Sequence, residues 1–524
     1  MENSPQSPAP GSHVLISQLI GFALFFLILF APTPLGMNPV AQRLAAVTAL
    51  MAVLWLSQAI PIAATSLIPL VAFPLLGIES AASVSKAYMS SSVFLFLGGF
   101  VIALGIEKWN LHRRVALHIV RTLGSNPSRI VLGFMLATAF LSMWISNTAS
   151  TLLMLPIGLA LLSSFRELSS DDAQSESALE SFSVILMLGI AYSASIGGFT
   201  TLVGTPTNVQ FAQIWTQQFP DQPEISAGEW MMAVVPIGAI FLLICWRVLI
   251  WRLPTIPGSE NFNRQFFSER IRELGKVSRP EKMMMAIFVT TAALWIFRKP
   301  LQFGGDPTLP GWSSFTQQWL IGWGVAADDA ANFVHDSTVA MGMALLMFFI
   351  PAKRNENREM QYLMDWKTAE TLPWGILLLI GGGFAIAGAF SSTGLSVWMG
   401  DTFAEKVSTW PPILLVGSTC LLMTFLTELT SNVATVSAVL PVLAEVSTRL
   451  EIDPRLLMIP AAISTSCAFM LPIATPPNAI VFGSGKIPMG KMVRYGLVLN
   501  LVGVLLITAS TFLLLGALMG IRLG

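Results

Sequence analysis

Charged residues are scarce in this chain of 524 residues, where Asp, Glu, Lys and Arg together make up 11%. Soluble domains carry about 25%. With 54% hydrophobic residues, too little polar surface remains to cover a water-soluble globule of this length. The composition excludes that class and predicts an all-α polytopic membrane protein. The net charge is zero, so no basic excess indicates a nucleic-acid partner.

Cysteine and histidine are also rare, and neither is arranged for metal binding or catalysis. The cysteines lie in apolar stretches without metal-site or disulfide spacing, which predicts small buried residues: Cys245, Cys420 and Cys467. The histidines lie at the N-terminus or near helix ends, which argues against an enzyme and an organic cofactor: His13, His112, His118 and His335.

The N-terminal residues lack the basic segment of a cleaved signal peptide. Residues 1–13 are polar and proline-rich, and we predict that they are disordered. We expect the apolar stretch that follows to remain as an extra span with its linker, over residues 14–42. Three later loops, at 107–129, 247–282 and 353–367, concentrate Lys and Arg. The positive-inside rule places these loops in the cytoplasm.

Many of the apolar stretches are too short to cross a hydrocarbon core of about 30 Å. They occur in adjacent pairs around polar, Gly- or Pro-rich breaks, which is typical of broken helices and re-entrant hairpins. Two stretches, 91–106 and 374–392, contain the glycine clusters Gly98-Gly99 and Gly381-Gly382-Gly383. We predict that each of these two is a helical hairpin that enters the membrane and turns back.

An internal repeat is the strongest signal in the sequence. Ser146-Asn147, with its flanking Phe-Leu and Leu-Pro pairs, recurs 285 residues later around Ser431-Asn432. VGTPTN at 203–208 recurs as IATPPN at 473–478, at an offset of 270. The spacing predicts a duplication, with a first repeat at 43–251, a cytoplasmic interfacial helix and linker at 252–281, and a second repeat at 282–524. An inverted arrangement of such repeats recurs in secondary transporters.

The two Ser-Asn motifs lie within dense polar patches inside apolar sequence. An interrupted helix there presents free N–H groups to an anion, and carbonyl, hydroxyl and amide oxygens to sodium. No Lys or Arg lies in these breaks, so sodium is the expected counter-charge for an anion. The alternative, hydroxyls that join helices by hydrogen bonds, is disfavoured because both patches occupy matched positions. For the acid Glu428 a functional and a structural role remain open.

The quoted motifs resemble those of the divalent-anion/sodium symporter family. The resemblance rests on SNTAS at 146–150, TSNVAT at 430–435 and FMLPIATPPNAIVF at 469–482, and it covers nearly the whole chain. It implies sodium-coupled symport of dicarboxylates such as succinate, malate or fumarate. It also implies a homodimer in a bacterial plasma membrane, with a scaffold domain and an elevator-like transport domain.

Site residues are implied by the same resemblance. The implied substrate contacts are Ser146, Asn147, Thr148, Thr205, Pro206, Ser431, Asn432, Thr475 and Pro476. The implied sodium sites are Ser142, Ser146, Asn147 and Gly204 in the first half, and Thr427, Thr430, Asn432 and Ala474 in the second.

The sequence departs from the family pattern at two positions. Val433 replaces the Thr of the second motif, and Thr207 replaces a Pro of the first TP segment. These departures bear on substrate choice. Separately, other functions stay open: sodium-independent dicarboxylate exchange, transport of citrate, 2-oxoglutarate or sulfate, and a channel or non-carboxylate ion permease.

Overall fold

The computed structural model describes residues 12–123, 126–168, 173–251, 253–254, 259–303, 306–330, 333–354 and 359–521. Helices dominate the described chain, as predicted from composition. Two short β-ribbons depart from the all-α prediction, and both lie in loops. Residues 1–11 of the predicted disordered N-terminus lie outside the described residues, and the first helix begins at Ser12.

The helices up to residue 252 are α1 (Ser12–Phe30), α2 (Pro39–Ser57), α3 (Ile62–Thr65), α4 (Ile68–Leu75), α5 (Ala81–Tyr88), α6 (Ser91–Lys108), α7 (Leu111–Thr122), α8 (Pro127–Ser142), α9 (Asn147–Leu168), α10 (Ala173–Gly198), α11 (Pro206–Gln218) and α12 (Ala227–Ile250). Those up to residue 392 are α13 (Ser259–Glu273), α14 (Arg279–Ile296), α15 (Trp312–Gly322), α16 (Ala327–Ala330), α17 (Asp336–Phe349), α18 (Trp366–Ala369) and α19 (Trp374–Ser392).

The remaining helices are α20 (Leu395–Val407), α21 (Pro412–Leu426), α22 (Asn432–Arg449), α23 (Arg455–Ser464), α24 (Pro476–Gly483), α25 (Met489–Ser510) and α26 (Gly516–Leu518), with a π-helical segment at Thr511–Leu515. Strands β1 (Leu301–Phe303) and β2 (Asp306–Leu309) pair antiparallel, as do β3 (Pro351–Arg354) and β4 (Met360–Tyr362).

Seven helical stretches of the described chain are long and apolar enough to cross a membrane. Shorter apolar helices also occur, among them α8, α21 and α23. Helices α8 and α21 end just before the Ser-Asn motifs, where α9 and α22 begin. Helices α10 and α23 end before the TP segments, and irregular chain separates them from α11 and α24. The interruptions predicted around both Ser-Asn motifs and both TP segments are therefore confirmed.

The same elements occur in the same order in both halves of the chain. A long helix (α6 or α19) precedes a connecting helix (α7 or α20), two helices that meet at a Ser-Asn motif, a second interrupted pair and a final long helix. The residues before α7 and α20, Asn110 and Gly394, both have left-handed φ angles of 56° and 75°. Their separation of 284 residues agrees with the sequence offset.

The glycine clusters do not mark hairpins, so the prediction for 91–106 and 374–392 is wrong. Both stretches are continuous helices, α6 and α19. Their glycines allow close helix packing instead. A Cβ added to Gly98 would lie 2.6 Å from the backbone of Ala340, and one added to Gly382 would lie 2.5 Å from the carbonyl oxygen of Ser66.

The two halves interlock around the breaks. Helix α11 of the first half packs on α22 of the second, and α24 packs on α9 and α10. The Gln210 amide donates to the Ser437 hydroxyl at 2.9 Å, and the Thr207 and Ser466 hydroxyls lie 3.3 Å apart. Each interrupted helix pair therefore contacts the Ser-Asn pair of the other half.

A buried cluster of charges joins the residues before α12 to the ends of α14 and α17. The Arg298 side chain contacts Asp336 at 2.6 Å and Glu224 at 2.5 Å. Asp336 also accepts from the backbone N–H of Ala227. Burial opposes ionisation of Glu224, but the hydrogen bond from His335 and the charge of Arg298 hold its pKa well below the usual range.

The segment predicted at 252–281 as an interfacial helix and linker contains α13, which ends at Glu273. It packs on α7. The Arg114 side chain of α7 contacts Glu281 at 2.7 Å and donates to the carbonyls of Leu274 and Gly275. A capping box of Ser278 and Glu281 starts α14 at Arg279. The second repeat was predicted to begin at residue 282, which lies within this helix.

Candidate substrate and sodium site

The first Ser-Asn motif joins α8 to α9. The Ser142 hydroxyl lies 2.6 Å from the Asn147 Oδ1 and 2.7 Å from the carbonyl oxygen of Ala194 on α10. The Ser146 hydroxyl accepts from the backbone N–H of Ala149 at 3.2 Å, so Ser146 caps α9. Side chains from both sides of the break thus meet α10.

Two glycines bring backbone oxygens against this break. A Cβ added to Gly198 would lie 2.1 Å from the Asn147 Oδ1. One added to Gly204 would lie 2.3 Å from the Gly198 carbonyl oxygen and 2.9 Å from that of Ser142. Amide, hydroxyl and carbonyl oxygens therefore converge where only glycine fits, and such oxygens suit a sodium ion.

The irregular segment of turns between α10 and α11 is held by one buried asparagine. The Asn208 Nδ2 donates to the carbonyl oxygens of Phe199 at 2.9 Å and Thr201 at 2.7 Å. The Thr201 hydroxyl donates to the carbonyl oxygen of Met143 in the Ser-Asn break. Carbonyls freed by the helix interruption therefore find partners within the protein, as the membrane environment requires.

The second half repeats this asparagine brace at the same offset. The Asn478 Nδ2 donates to the carbonyl oxygens of Ala468 and Leu471, both at 3.0 Å. Its Oδ1, like that of Asn208, is buried and has no hydrogen-bond partner among the described residues. At both positions, therefore, the side-chain N–H groups of the asparagine satisfy carbonyls freed by the helix interruption.

The second Ser-Asn motif joins α21 to α22. The Thr427 hydroxyl donates within α21, to the carbonyl of Met423 or Thr424, both at 3.0 Å. The Thr430 and Thr435 hydroxyls lie 2.5 Å apart. The Asn432 Oδ1 is buried and, within the described chain, unpartnered, and Ser431 makes no side-chain cap. The two Ser-Asn breaks therefore differ in their internal hydrogen bonding.

Glu428 is the buried acid of the second break, and it is 3% exposed. Its carboxylate accepts from the backbone N–H groups of Met470 at 2.8 Å and Leu471 at 3.0 Å, and from the Asn500 amide at 2.7 Å. The matched first-half position is Met143, whose carbonyl accepts from Thr201. In each half a hydrogen bond joins the Ser-Asn break to the segment before the TP helix. A carboxylate accepts that bond in the second half, and a neutral carbonyl accepts it in the first.

The structure brings only part of the implied site together. Ser142, Asn147 and Gly204 meet around Gly198. Thr205 and Thr475 precede α11 and α24, which begin at Pro206 and Pro476. In the described chain no hydrogen bond joins those four residues to a Ser-Asn motif, and none joins Ala474 to Thr427 or Thr430. Thr148 is half-buried in the first turn of α9.

Sequence reasoning missed Gly198 and the cross-half pair Gln210 and Ser437. Gly197-Gly198 ends an apolar stretch just before the first TP segment. Paired glycines at that position are a signal that another group approaches the backbone closely. The partners of Gln210 had no such signal, because they lie in the other half. Within the described residues, no group of three or more His, Cys, Asp or Glu side chains forms a metal site.

Interrupted helices whose breaks are lined by oxygens and lack basic side chains define a membrane transporter built on paired broken helices. The family model described as the sodium:sulfate symporter transmembrane region matches residues 12–521. The chain belongs to this family, and it is a transporter and not an enzyme.

Several curated relatives are similar over almost the whole chain. The sodium-dependent dicarboxylate transporter SdcS of Staphylococcus saprophyticus is 39% identical over 514 residues, which is 97% of this chain and 92% of the relative. SdcS of Staphylococcus aureus MRSA252 is 38% identical over 512 residues, with the same two coverages. These alignments include both Ser-Asn motifs and both TP segments.

Two solved transporters share the fold at low sequence identity. The Alcanivorax borkumensis YdaH transporter has a TM-score of 0.51 and 14% identity, and the match covers 98% of each chain. Neisseria gonorrhoeae MtrF has a TM-score of 0.50 and 12% identity, with 97% of this chain and 95% of that one covered. At such identities the likeness extends to the fold alone.

Proposed function

We propose that this chain is a sodium-coupled symporter of C4 dicarboxylates such as succinate, malate and fumarate. The observation that carries the proposal is the convergence of Ser142, Asn147, Gly198 and Gly204 at a helix break without basic side chains. A dianion held there needs positive charge, which bound sodium supplies. The curated relatives, named as sodium-dependent dicarboxylate transporters, support the same reading.

The proposed first sodium site consists of Ser142, Ser146 and Asn147 with carbonyls of the segment that ends at Gly204. The proposed second site consists of Thr427, Thr430 and Asn432 with the carbonyl region of Ala474. Sodium is the coupling ion, and the proposal includes no organic cofactor. The unpartnered buried Oδ1 of Asn432 supports the second site, because a buried amide oxygen is costly without a partner.

The proposed substrate site lies between the N-termini of α9 and α22. Free N–H groups and the positive ends of the helix dipoles favour a carboxylate at each terminus. The residues that we propose to contact substrate are Ser146, Asn147, Thr148, Thr205, Pro206, Ser431, Asn432, Thr475 and Pro476. Val433 has no hydroxyl, so the two carboxylates would be held differently.

The proposed mechanism is elevator-like transport by a homodimer in a bacterial plasma membrane. With the three basic loops in the cytoplasm, α6 ends on that side and α19 begins there, so the two helices run in opposite directions. This orientation would make the two halves an inverted repeat. The helix pairs that meet at the breaks would then form a transport domain that moves against a scaffold.

Uptake of labelled succinate into proteoliposomes tests the proposal directly. We expect uptake with an inward sodium gradient, none with choline in place of sodium, and competition by malate and fumarate. A panel that includes citrate, 2-oxoglutarate and sulfate identifies the preferred anion. Sulfate is the main alternative substrate because the family description names it. Stronger competition by sulfate than by malate would reassign the substrate.

Sodium-independent exchange is the alternative mechanism. Counterflow in sodium-free proteoliposomes distinguishes the two, because an exchanger swaps internal for external succinate without an ion gradient. Full exchange activity without sodium would exclude symport. The oxygen cluster around Gly198 and the relatives' names favour symport.

A further inference from the structure

An amphipathic groove separates the connecting helix α7 and the linker helix α13 from the Ser-Asn helix α9. Its volume is about 430 Å³. One wall consists of apolar side chains of α9, and its members are Leu152, Leu153, Pro156, Ile157 and Ala160. The opposite rim carries two guanidinium groups, Arg113 of α7 and Arg270 of α13. Asn110, Leu117 and Phe266 complete the α7 and α13 side, so the groove is apolar on both sides and carries two basic groups on one of them.

The two arginines of the rim are available to an anion. Arg113 is exposed, and no acidic partner contacts it within the described chain. The Arg270 side chain is 40% exposed and lies 3.1 Å from Glu273, which is itself exposed. Its guanidinium also lies over the Phe266 ring, 5.4 Å from the ring centre. The next residue of α7, Arg114, behaves differently, because it is buried against Glu281. Arg114 holds the helices together, whereas Arg113 points at the groove.

The apolar wall of the groove is partly exposed. The Leu152 side chain is 54% exposed, and Pro156 is also exposed. Such a wall beside a basic rim complements a molecule with an acyl chain and an anionic head. A soluble phosphate ester would leave the apolar wall unused.

The matched place in the second half lacks the arginine of the rim. At the repeat offset of 284, Val397 of α20 replaces Arg113. The charges of α20 are Asp401, Glu405 and Lys406, and Asp401 pairs with Arg449 at 2.7 Å. If the repeats are inverted as proposed, this second place faces the opposite leaflet. Anionic phospholipids enriched in the cytoplasmic leaflet would then meet the basic groove and not its counterpart.

We propose that the groove between α7, α13 and α9 binds an anionic phospholipid, with its phosphate at Arg113 and Arg270 and an acyl chain along Leu152 and Ile157. The bound lipid touches both connecting helices and the helix that begins at Asn147. It therefore stabilises one position of that helix against α7. Only the choice of leaflet rests on the proposed function.

Native mass spectrometry of the purified protein with phosphatidylglycerol tests the site. The Arg113→Gln/Arg270→Gln variant should retain phosphatidylglycerol roughly 30-fold more weakly, given the usual contribution of each basic residue at an anionic surface. The matched control is Arg121→Gln/Arg272→Gln. It removes the same charge from exposed positions of the same two helices, outside the groove, and should bind like wild type. Phosphatidylcholine and glycerol 3-phosphate should not displace the lipid.

Three results would overturn the proposal: equal losses in both double variants, no loss in either, or displacement of the lipid by glycerol 3-phosphate. Uptake in phosphatidylcholine proteoliposomes with and without phosphatidylglycerol gives a second readout, in which only the groove variant should lose the lipid response. Specific lipid retention without any sodium-driven succinate uptake would reject the proposed function and leave the lipid site standing.

Discussion

Replacement of Gly198 by Ala tests whether the Asn147 amide must lie where the structure has it. The added Cβ would lie 2.1 Å from the Asn147 Oδ1, whereas Cβ atoms in real structures almost never approach closer than 3.0 Å. One of the two groups must therefore move by about 0.9 Å. Where the amide oxygen moves away from Ser142 by that amount, its contact with the Ser142 hydroxyl, now 2.6 Å, lengthens to about 3.5 Å, beyond normal hydrogen-bond distance.

The expected cost has two parts. Overpacking of a buried site destabilises a protein by about 1–3 kcal/mol, and the lost hydrogen bond adds about 1 kcal/mol. A displacement of about 1 Å in a ligand group can also reduce turnover about 100-fold. We therefore expect Gly198→Ala to lower the thermal unfolding midpoint moderately and to raise the sodium concentration needed for half-maximal uptake strongly.

Gly189→Ala is the matched control on the same helix. Its added Cβ would lie 3.2 Å from the Met135 Cγ, and this flexible side chain can move aside. The matched position in the second half already holds Ala468, so Ala468→Gly should leave sodium activation unchanged. Proteoliposome uptake across a sodium series measures all three variants. Wild-type sodium activation in Gly198→Ala would refute the proposed role of Asn147 in sodium binding. Equal impairment in Gly189→Ala would show that the loss of activity in Gly198→Ala is a general packing effect.

Three further predictions follow from the same contacts. Asn147→Ala and Asn432→Ala should each abolish uptake while the protein stays folded by size-exclusion chromatography, and normal transport by either would contradict a site shared by both halves. Glu428→Gln replaces one carboxylate oxygen by an N–H donor, which then opposes either the Leu471 N–H or the Met470 N–H and Asn500 amide that share the other oxygen. At least one buried donor loses its acceptor, so the unfolding midpoint should fall by the equivalent of about 2–3 kcal/mol; an unchanged midpoint would show that these bonds contribute little. Arg298→Met leaves the buried Asp336 without its cation and should lower the free energy of unfolding by about 3–5 kcal/mol. A second change, Asp336→Leu, should recover part of that loss in thermal unfolding; no recovery would indicate that the arginine acts mainly through packing.

The helix breaks could be predicted because their signals are local. Ser146-Asn147 and Ser431-Asn432 stand out as polar residues inside apolar sequence, and the proline of each TP segment starts a helix, at Pro206 and Pro476. Proline has no backbone N–H and is favoured at helix starts. A constant offset then identified matched positions without any knowledge of their contacts.

The glycine clusters show where local reasoning failed. In sequence, Gly98-Gly99 and Gly381-Gly382-Gly383 resemble turn signals, since glycine favours turns. The missing side chains instead allow Ala340 and Ser66 to approach the helices closely. Both neighbours are distant in sequence from the glycines that they contact, so the pattern alone could not distinguish a turn from a packing surface.

The hydrogen-bond partners of Glu428 likewise depend on tertiary contacts. The sequence offered a functional and a structural reading for an acid at membrane depth. Its three donors come from the interrupted segment at Met470 and Leu471 and from Asn500 on α25. A carboxylate that accepts two backbone N–H groups and an amide holds that segment in place.

By itself the sequence determined the membrane class, the positions of the breaks and the duplicated order of elements, because composition, spacing and proline placement act over a few residues. Only the tertiary structure decided which groups meet at the breaks. Gly198 lies against Asn147, Glu428 holds the segment before α24, and Gln210 joins Ser437 across the halves. These contacts join residues that are remote in the chain, and they depend on packing geometry that no local pattern encodes.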